Sequence, residues 1–375
     1  MGLPDNGRQQ RALSSVSRIE PAREDFGQMA KRSFLVKESE LDDYQRRIVN
    51  QRSENSLIVK GCAGSGKSVI AFWRLHDIVS NNRGTAQIIV FTRTLVDYFT
   101  EGCREEGIDP SLIDYWEHWR RYPRATDYLL VDEAQDFSEE SIAMFRSYAG
   151  KALLLYGDTS QQIYDSFRTG RNKPVSMDEI KVITQFPDEK LVFNHRLPRQ
   201  IARVAQYVCA ENDDLVGRCK NDGNEKPYFL RYSSINDQLN AIVQIIRSRG
   251  LDDVGILLPD NSQVRGIWSE LLNRGLNAEV KYNENQRIYS NLNFATTNPK
   301  VVTYHSAKGL QFKAVFLPCC EKESLTKFFK PLYVAMTRAY QSLYVLYSGQ
   351  LPSILQKIPS ELYESDLRAR ETEVL

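Results

Sequence analysis

The sequence predicts an α/β protein with two parallel sheets in tandem, and three observations predict it. Four short apolar runs (56–60, 87–91, 127–131 and 152–156) are separated by stretches of helical spacing, the pattern of a parallel sheet with helices on both faces. A second series of the same kind begins after Asn194-His195-Arg196-Leu197-Pro198. The chain, at 375 residues, is long enough for two sizeable cores, and 42% hydrophobic with 26% charged residues is ordinary for a folded protein.

Composition narrows the function classes. A net charge of +1 gives no global attraction to nucleic acid or anionic membrane, so any nucleic-acid site must be a local groove. The six cysteines form no CxxC pair; Cys62 stands in a glycine-rich loop and Cys319 and Cys320 are adjacent, which is a poor disulfide framework and points to reduced thiols. No apolar stretch is long enough to cross a membrane and the N-terminus lacks a signal-peptide core, so the expected location is cytoplasmic with no membrane partner.

Residues 1–40 are polar, with scattered arginines and little periodicity, and read as a partly ordered arm. Leu41–Val49 has helical spacing, with Leu41, Tyr44, Ile48 and Val49 on one face. Gln45 lies on this helix just before the glycine loop. Its amide would suit an adenine edge, although taken alone a solvated helix-surface glutamine is the plainer reading.

The strand Ser56–Lys60 runs into Gly61-Cys62-Ala63-Gly64-Ser65-Gly66-Lys67-Ser68, and a helical stretch follows. Strand, glycine loop and helix are the context that makes GxxxxGK[ST] a phosphate-binding loop. Its backbone N–H groups and the helix N-terminus face the phosphates, Lys67 reaches the outer ones, and the Ser68 hydroxyl is a Mg²⁺ ligand. The next strand ends in Thr92-Arg93-Thr94-Leu95, at the edge where α/β sheets bind ligands. Phosphodiester contact and a helix cap by Thr94 are both open there.

The third strand ends in Asp132 and Glu133. One carboxylate can hold a nucleotide's Mg²⁺ and its neighbour can take a proton from attacking water. The fourth leads into Gly157-Asp158-Thr159-Ser160-Gln161-Gln162, where Gln161 is a candidate sensor of a terminal phosphate or an ordinary polar loop residue. Asp165–Ser176 carries the glycine, asparagine and proline of a surface loop.

In the second series, helices are expected near 198–209, at 236–248 and at 262–273. Strands are expected at 227–231, 254–258, near 300–303, at 314–318 and at 343–347. Three polar clusters stand among them: Asn194-His195-Arg196, Thr303 to Phe312, and Tyr333 to Ala339. An arginine placed across a cleft can stabilise charge on a transferring phosphoryl group, which makes Arg196 and Arg338 candidates, with surface salt bridges as the plainer alternative. The tail after Ser348 spaces Leu351, Ile354, Leu355, Ile358 and Leu362 as a short apolar face, expected to cap the second half.

Taken in order, these clusters resemble the signature motifs of superfamily 1 helicases of the UvrD/Rep type, from about Leu41 to about Ser348. Leu41-x-x-x-Gln45 is similar to their glutamine motif, Gly61–Ser68 to motif I, Phe91–Leu95 to motif Ia and Asp132-Glu133-Ala134-Gln135 to motif II. Gly157–Tyr164 resembles motif III and Asn194–Arg196 motif IV, while His305–Phe312 resembles motif V and Tyr333–Ala339 motif VI.

The resemblance implies two tandem RecA-like P-loop NTPase lobes, with ATP and Mg²⁺ in the cleft and single-stranded DNA across the top, RNA being the weaker candidate. It divides the chain into an arm (1–40), a first lobe (41–192), a second lobe (193–350) and a tail (351–375). By the same resemblance Gln45 reads adenine, Gly61 to Ser68 cradle phosphates, and Ser68 and Asp132 support the metal. Glu133 activates water, and Gln161, Arg196 and Arg338 contact the terminal phosphate. Thr92, Arg93, Tyr164, Thr303 and His305 face nucleic acid, Tyr164 as a stacking platform.

The sequence departs from the family's pattern at His195, where a tyrosine is usual beside the base, at Gln311, where a glutamate meets the ribose, and at Arg93, where asparagine is common. The larger departure is length. Only about twenty-five residues separate Cys103 from the motif II strand, and the second lobe's own elements fill most of the interval between motifs IV and V. The family's two duplex-engaging insertions are therefore expected to be absent or vestigial. The leading expectation is an ATP-dependent helicase or translocase on single strands. The alternative is a regulatory ATPase subunit that gates a partner nuclease, as in anti-phage systems.

Overall fold

The computed structural model describes residues 38–51, 55–163, 173–209, 214–285 and 287–367. Within these, the first half contains α1 (Asp43–Asn50), β1 (Leu57–Gly61), α2 (Lys67–Ser80), β2 (Ala86–Val90), α3 (Arg93–Glu106), β3 (Ile113–Tyr115) and α4 (Trp116–Trp119). It continues with β4 (Thr126–Val131), α5 (Glu139–Tyr148), β5 (Ala149–Gly157), α6 (Met177–Thr184) and β6 (Asp188–Leu191). The six strands make one sheet in the order β3-β2-β4-β5-β1-β6, with every pairing parallel.

The central strands β1, β2, β4 and β5 are apolar because helices cover both of their faces. Leu57, Val59, Ile88, Leu130 and Leu154 pack with α2 and α3, whereas Ile58, Ile89, Leu129 and Leu155 pack with Trp119, Phe137 and Phe145 on the other side. The edge strands escape sequence reading for a physical reason. Asp188–Leu191 is polar and only Leu191 is buried, while Ile113–Tyr115 is too short to show a period.

The second half adds α7 (Arg199–Gln206), β7 (Tyr228–Tyr232), α8 (Ile235–Ser248), β8 (Val254–Leu258), α9 (Asn261–Asn273), β9 (Glu279–Glu284) and β10 (Arg287–Ser290). It ends with β11 (Lys300–Thr303), β12 (Phe312–Leu317), α10 (Ser324–Lys327), α11 (Phe329–Met336), β13 (Ala339–Ser348) and α12 (Ser353–Gln356). Its sheet runs β10-β9-β11-β8-β12-β13-β7. All pairings are parallel except β9 with β10, an antiparallel hairpin that makes the sheet mixed. The fold is thus α/β with two tandem sheets of the expected class.

Two details refine the sequence reading. The cap of α3 is Thr92, whose hydroxyl accepts from the Leu95 N–H at 3.3 Å, so the Thr94 alternative is wrong: Thr94 is buried in the first turn. The tail lies against the second sheet, with Leu355 and Ile358 in its core and the Tyr363 ring stacked 4.3 Å from Phe229. The surface-loop expectation for Asp165–Ser176 falls mostly outside the described residues.

Candidate functional site

The glycine loop leaves the carboxyl end of β1 and enters α2, with Gly64 at φ +76° and Gly66 at φ +89°, a region that glycine enters without penalty. Close neighbours reinforce the choice: a Cβ on Gly64 would collide with Asn194 Oδ1, and one on Gly66 with Gln45 Nε2. Lys67 is buried, and its ammonium donates to the Gly61 and Cys62 carbonyls at 2.9 and 3.1 Å. Ser65 Oγ is buried in the loop and makes no hydrogen bond.

Asp132, at the end of β4, accepts a 2.7 Å hydrogen bond from Ser68 Oγ. It is fully buried, and burial together with the adjacent Glu133 charge pushes its carboxyl up to about 6. Glu133 takes the left-handed backbone conformation at φ +55° and its carboxylate accepts from Gln135 Nε2 at 2.5 Å. Burial opposes its ionisation, but Lys308, Lys67, Gln135 and Arg338 outweigh it and hold Glu133 below the ordinary glutamate range.

Gln135 also ties this strand end to the next. Its Oε1 accepts from the Asp158 N–H at 2.9 Å, and its carbonyl accepts from Gln162 Nε2 at 2.7 Å. Asp158 in turn accepts from Gln161 Nε2 at 2.7 Å, which leaves Gln161 Oε1 directed at the other half. Arg338 meets it there: Nη2 donates to Gln161 Oε1 at 2.7 Å, and Nε donates to the Val334 carbonyl at 2.9 Å. Arg338 is buried, and desolvation lowers its pKa although Glu133 partly offsets this. Lys308, wholly buried, sends its ammonium to Asp136 Oδ2 at 2.5 Å, to the Gln161 carbonyl at 2.6 Å and towards Glu133 Oε2 at 3.6 Å.

The junction between the halves closes the other side of the loop. The His195 N–H donates to the Gly64 carbonyl at 3.2 Å, and Asn194 Oδ1 accepts from the Arg196 and Leu197 N–H groups at 3.0 and 2.9 Å. Arg196 Cβ lies against Gly64. The His195 ring is 2.5 Å from Asp42 Oδ2, and Asp42 caps α1 in a reciprocal box with Gln45. Gln45 therefore spends its amide on the fold, accepting from the Asp42 N–H at 3.1 Å and donating to the Ser65 carbonyl at 3.0 Å. Tyr44 and Phe193 meet edge-on at 5.6 Å beside it, and Lys220 Nζ sits 3.7 Å over the Phe193 ring.

The remaining candidates stand apart from this cluster. Thr92 and the exposed Arg93, whose guanidinium lies 5.2 Å over Tyr115, are at the carboxyl end of β2. Thr303 ends β11, its hydroxyl accepting from the Ser306 N–H at 3.1 Å, and His305 follows with its pKa lowered by burial and Lys308. Gln311 is half-buried in the turn before β12. Tyr164 lies outside the described residues.

The phosphate-loop group fits a nucleotide with a hard cation. Ser65 Oγ is an orphaned buried hydroxyl, the glycines leave a cradle that a Cβ would fill, and Ser68 with Asp132 is an all-oxygen pair of the kind Mg²⁺ takes alongside phosphates and water. Among the described residues no cluster of three His, Cys, Asp or Glu could hold a metal, so protein ligands alone form no cage. Lys308 and Asp136 join this cluster without being among the candidates that local sequence marks. An apolar-flanked lysine after a strand was the available signal, but its partners lie 172 and 147 residues away.

Part of each half is similar to a domain of known helicases. Residues 111–180 match the UvrD/REP helicase N-terminal domain, and residues 300–346 match the UvrD-like helicase C-terminal domain. A protein of Acanthamoeba polyphaga mimivirus named "Putative ATP-dependent DNA helicase" is 23% identical over 279 residues, 64% of this chain and 38% of its own length. The RecBCD enzyme subunit RecB of Chlamydia pneumoniae is 42% identical over 59 residues, 15% of this chain and 6% of that subunit. This chain therefore spans well under half of either relative. A crystal structure of the C-terminal domain of a possible DNA helicase from Lactobacillus plantarum WCFS1 aligns with TM-score 0.36 and 21% identity, covering 46% of this chain and 98% of that one.

Proposed function

From the premise that the chain is of the UvrD/Rep helicase type, we propose that it is an ATP-dependent helicase or translocase on single-stranded DNA, hydrolysing ATP between its two sheets. One observation carries this reading: the Lys67 loop and the Asp132–Glu133 carboxylates are faced across the halves by Arg338 and Lys308. In it, 41–192 and 193–350 act as the two lobes, with 1–40 as an arm and 351–375 as a tail.

Gly61 to Ser68 would hold the phosphates, with Lys67 turning from its own loop carbonyls to the outer ones, and Ser68 and Asp132 would hold Mg²⁺. When bound, the metal supplies charge neutralisation at the phosphate oxygens. Glu133, kept ionised by its cationic neighbours, accepts the proton of a water. Gln161 and Arg338 already touch, so a terminal phosphate would compete for a pair that spans the halves. Arg196 would supply a second cation from the Gly64 side and His195 would flank the base; Gln45 would read the base only by giving up its Asp42 or Ser65 contact, and Gln311 would meet the ribose by the family resemblance. Making and losing such cross-half contacts is how hydrolysis opens and closes lobes and moves a strand.

Thr92, Arg93, Thr303 and His305 stand at the carboxyl ends of β2 and β11, where an open α/β sheet presents ligands, and would bear the strand with Tyr164. Between α3 and β4 the chain holds only a turn, β3 and α4, and β3 simply widens the first sheet. Between α7 and β11 every described strand belongs to the second sheet. This supports a minimal motor that unwinds duplex poorly without a partner.

Steady-state ATPase measured with single- and double-stranded DNA and RNA tests the proposal. Stimulation greatest with single-stranded DNA is expected. Hydrolysis that ignores every nucleic acid and rises only with a protein partner would replace the motor with the regulatory subunit.

A further inference from the structure

We propose that the nucleotide site holds its substrate by the triphosphate and the face of the base and does not read the base edge, so that GTP serves as well as ATP. The inference rests on the function proposed above and widens its substrate class to nucleoside triphosphates in general. A site tells one base from another by aiming free donors and acceptors at its edge. Where it does so, a substrate that leaves them unpaired is rejected by about 10⁴–10⁵. Among the described residues beside the phosphate loop, the groups able to do this are already engaged.

Gln45 is buried, and its amide is held at both ends: Oε1 by the Asp42 N–H at 3.1 Å and Nε2 by the Ser65 carbonyl at 3.0 Å. The first bond is half of the box that caps α1, and the second ties the helix to the loop. Reading a base would trade one of these bonds for another and leave no surplus to discriminate with. The Asn194 amide is buried too, its Oδ1 taken by the Arg196 and Leu197 N–H groups. His195 commits one ring nitrogen to Asp42. Its other nitrogen is a single polar atom, and the base edges offer it partners in more than one arrangement.

What this corner presents besides is ring surface. The exposed Tyr44 meets Phe193 edge-on at 5.6 Å, Phe193 meets His195 edge-on at 6.4 Å, and the exposed Lys220 sits over Phe193. Aromatic faces take any base, because every base has a π-face, and they favour purines only through the larger ring. The directed groups stand at the phosphate end instead, where Lys67, Ser68 and Asp132 are faced by Arg338, and a triphosphate is the same whatever base it carries.

The test is steady-state hydrolysis of ATP, GTP, CTP and UTP with Mg²⁺ and oligothymidylate, beside equilibrium binding of the same four nucleotides by displacement of a fluorescent one. Comparison within a ring class isolates the base edge, since ATP and GTP stack alike and so do CTP and UTP. In wild type, kcat/KM and affinity are expected to agree within about fivefold inside each class, less than one well-placed hydrogen bond to the edge provides. Gln45→Met removes both amide contacts and is expected to weaken ATP and GTP by the same factor, because it acts through the loop. A wild-type ratio beyond about fivefold within either class overturns the inference and leaves the site reading standing. A Gln45→Met loss that falls on ATP more than on GTP overturns it as well, since the amide would then be reading adenine. Wild type that neither binds nor hydrolyses any of the four removes the site reading itself.

Discussion

Glu133 shows how much this site asks of one residue. A non-glycine side chain at φ +55° costs of order 1–2 kcal/mol, and here the cost places a carboxylate between Gln135 Nε2 and the ammonium of Lys308. Glu133→Gln keeps the shape and removes the proposed base, so turnover is expected to fall by about 10²–10⁴ with nucleotide affinity retained, as read by single-turnover hydrolysis beside equilibrium nucleotide binding. Lys67→Ala should lose turnover and weaken nucleotide binding together. Hydrolysis that survives in Glu133→Gln would move the base elsewhere. The neighbouring Asp132 predicts a pH dependence whose sign is fixed. Its carboxyl is pushed up to about 6, so it is ionised and able to hold Mg²⁺ above that pH and protonated below it. Apparent Mg²⁺ affinity in ATP hydrolysis should fall by up to about tenfold per pH unit below that point, and Asp132→Asn should be weak and flat across the same range.

At the scale of elements, the legible parts were those whose local chemistry is self-sufficient. The glycine loop, the apolar strands and the carboxylates ending β4 all announce themselves within ten residues of chain. β6 and β10 did not, because edge strands are half-solvated and polar; β9 did not, because its buried residues include the charged Glu279 and Lys281; and Lys308 did not, because what buries it is the other half of the molecule. α1 lies between these cases. Its helical spacing was readable, but its N-terminus is a junction as well as a cap: Asp42 accepts from the Gln45 N–H at 2.7 Å and also meets His195 from beyond the first sheet. The two jobs can be separated. Asp42→Ser keeps a capping hydroxyl and gives up the His195 contact, whereas Asp42→Ala gives up both. Urea denaturation should place the alanine variant about 1 kcal/mol below the serine variant, the worth of a cap. Nucleotide affinity should be lowered alike in both, because His195 and Gln45 flank the phosphate loop. Equal stability of the two variants would show that the helix does not depend on this cap.

At the scale of the whole molecule, the halves are joined by more than the proposed site. Lys281 of β9 reaches Asp97 of α3 at 3.0 Å, the Phe294 and Tyr98 rings meet edge-on at 5.8 Å, and Gly309 rests on Leu95. With Lys308–Asp136, Arg338–Gln161 and His195–Asp42, these contacts run along α3 and around the phosphate loop. The ion pair at Asp97 is partly exposed and contributes no more than about 1 kcal/mol, so the apolar and buried contacts carry most of the coupling. Two sheets coupled this way should unfold together. Three of the four tryptophans (Trp73, Trp116 and Trp119) report on the first half and only Trp268 on the second, whereas far-UV circular dichroism weighs both. Fluorescence and dichroism melts are therefore expected to coincide in wild type. Gly309→Ala forces a Cβ into Leu95, a buried residue at the margin of the first core, at a left-handed backbone position, which should weaken the seam. The two curves should then separate, with a component seen by dichroism that tryptophan fluorescence largely misses. Curves that stay superimposed at a lower midpoint would mean that the halves form one cooperative unit even without a well-packed seam, and lobe opening would then have to occur by a smaller motion than separation at α3.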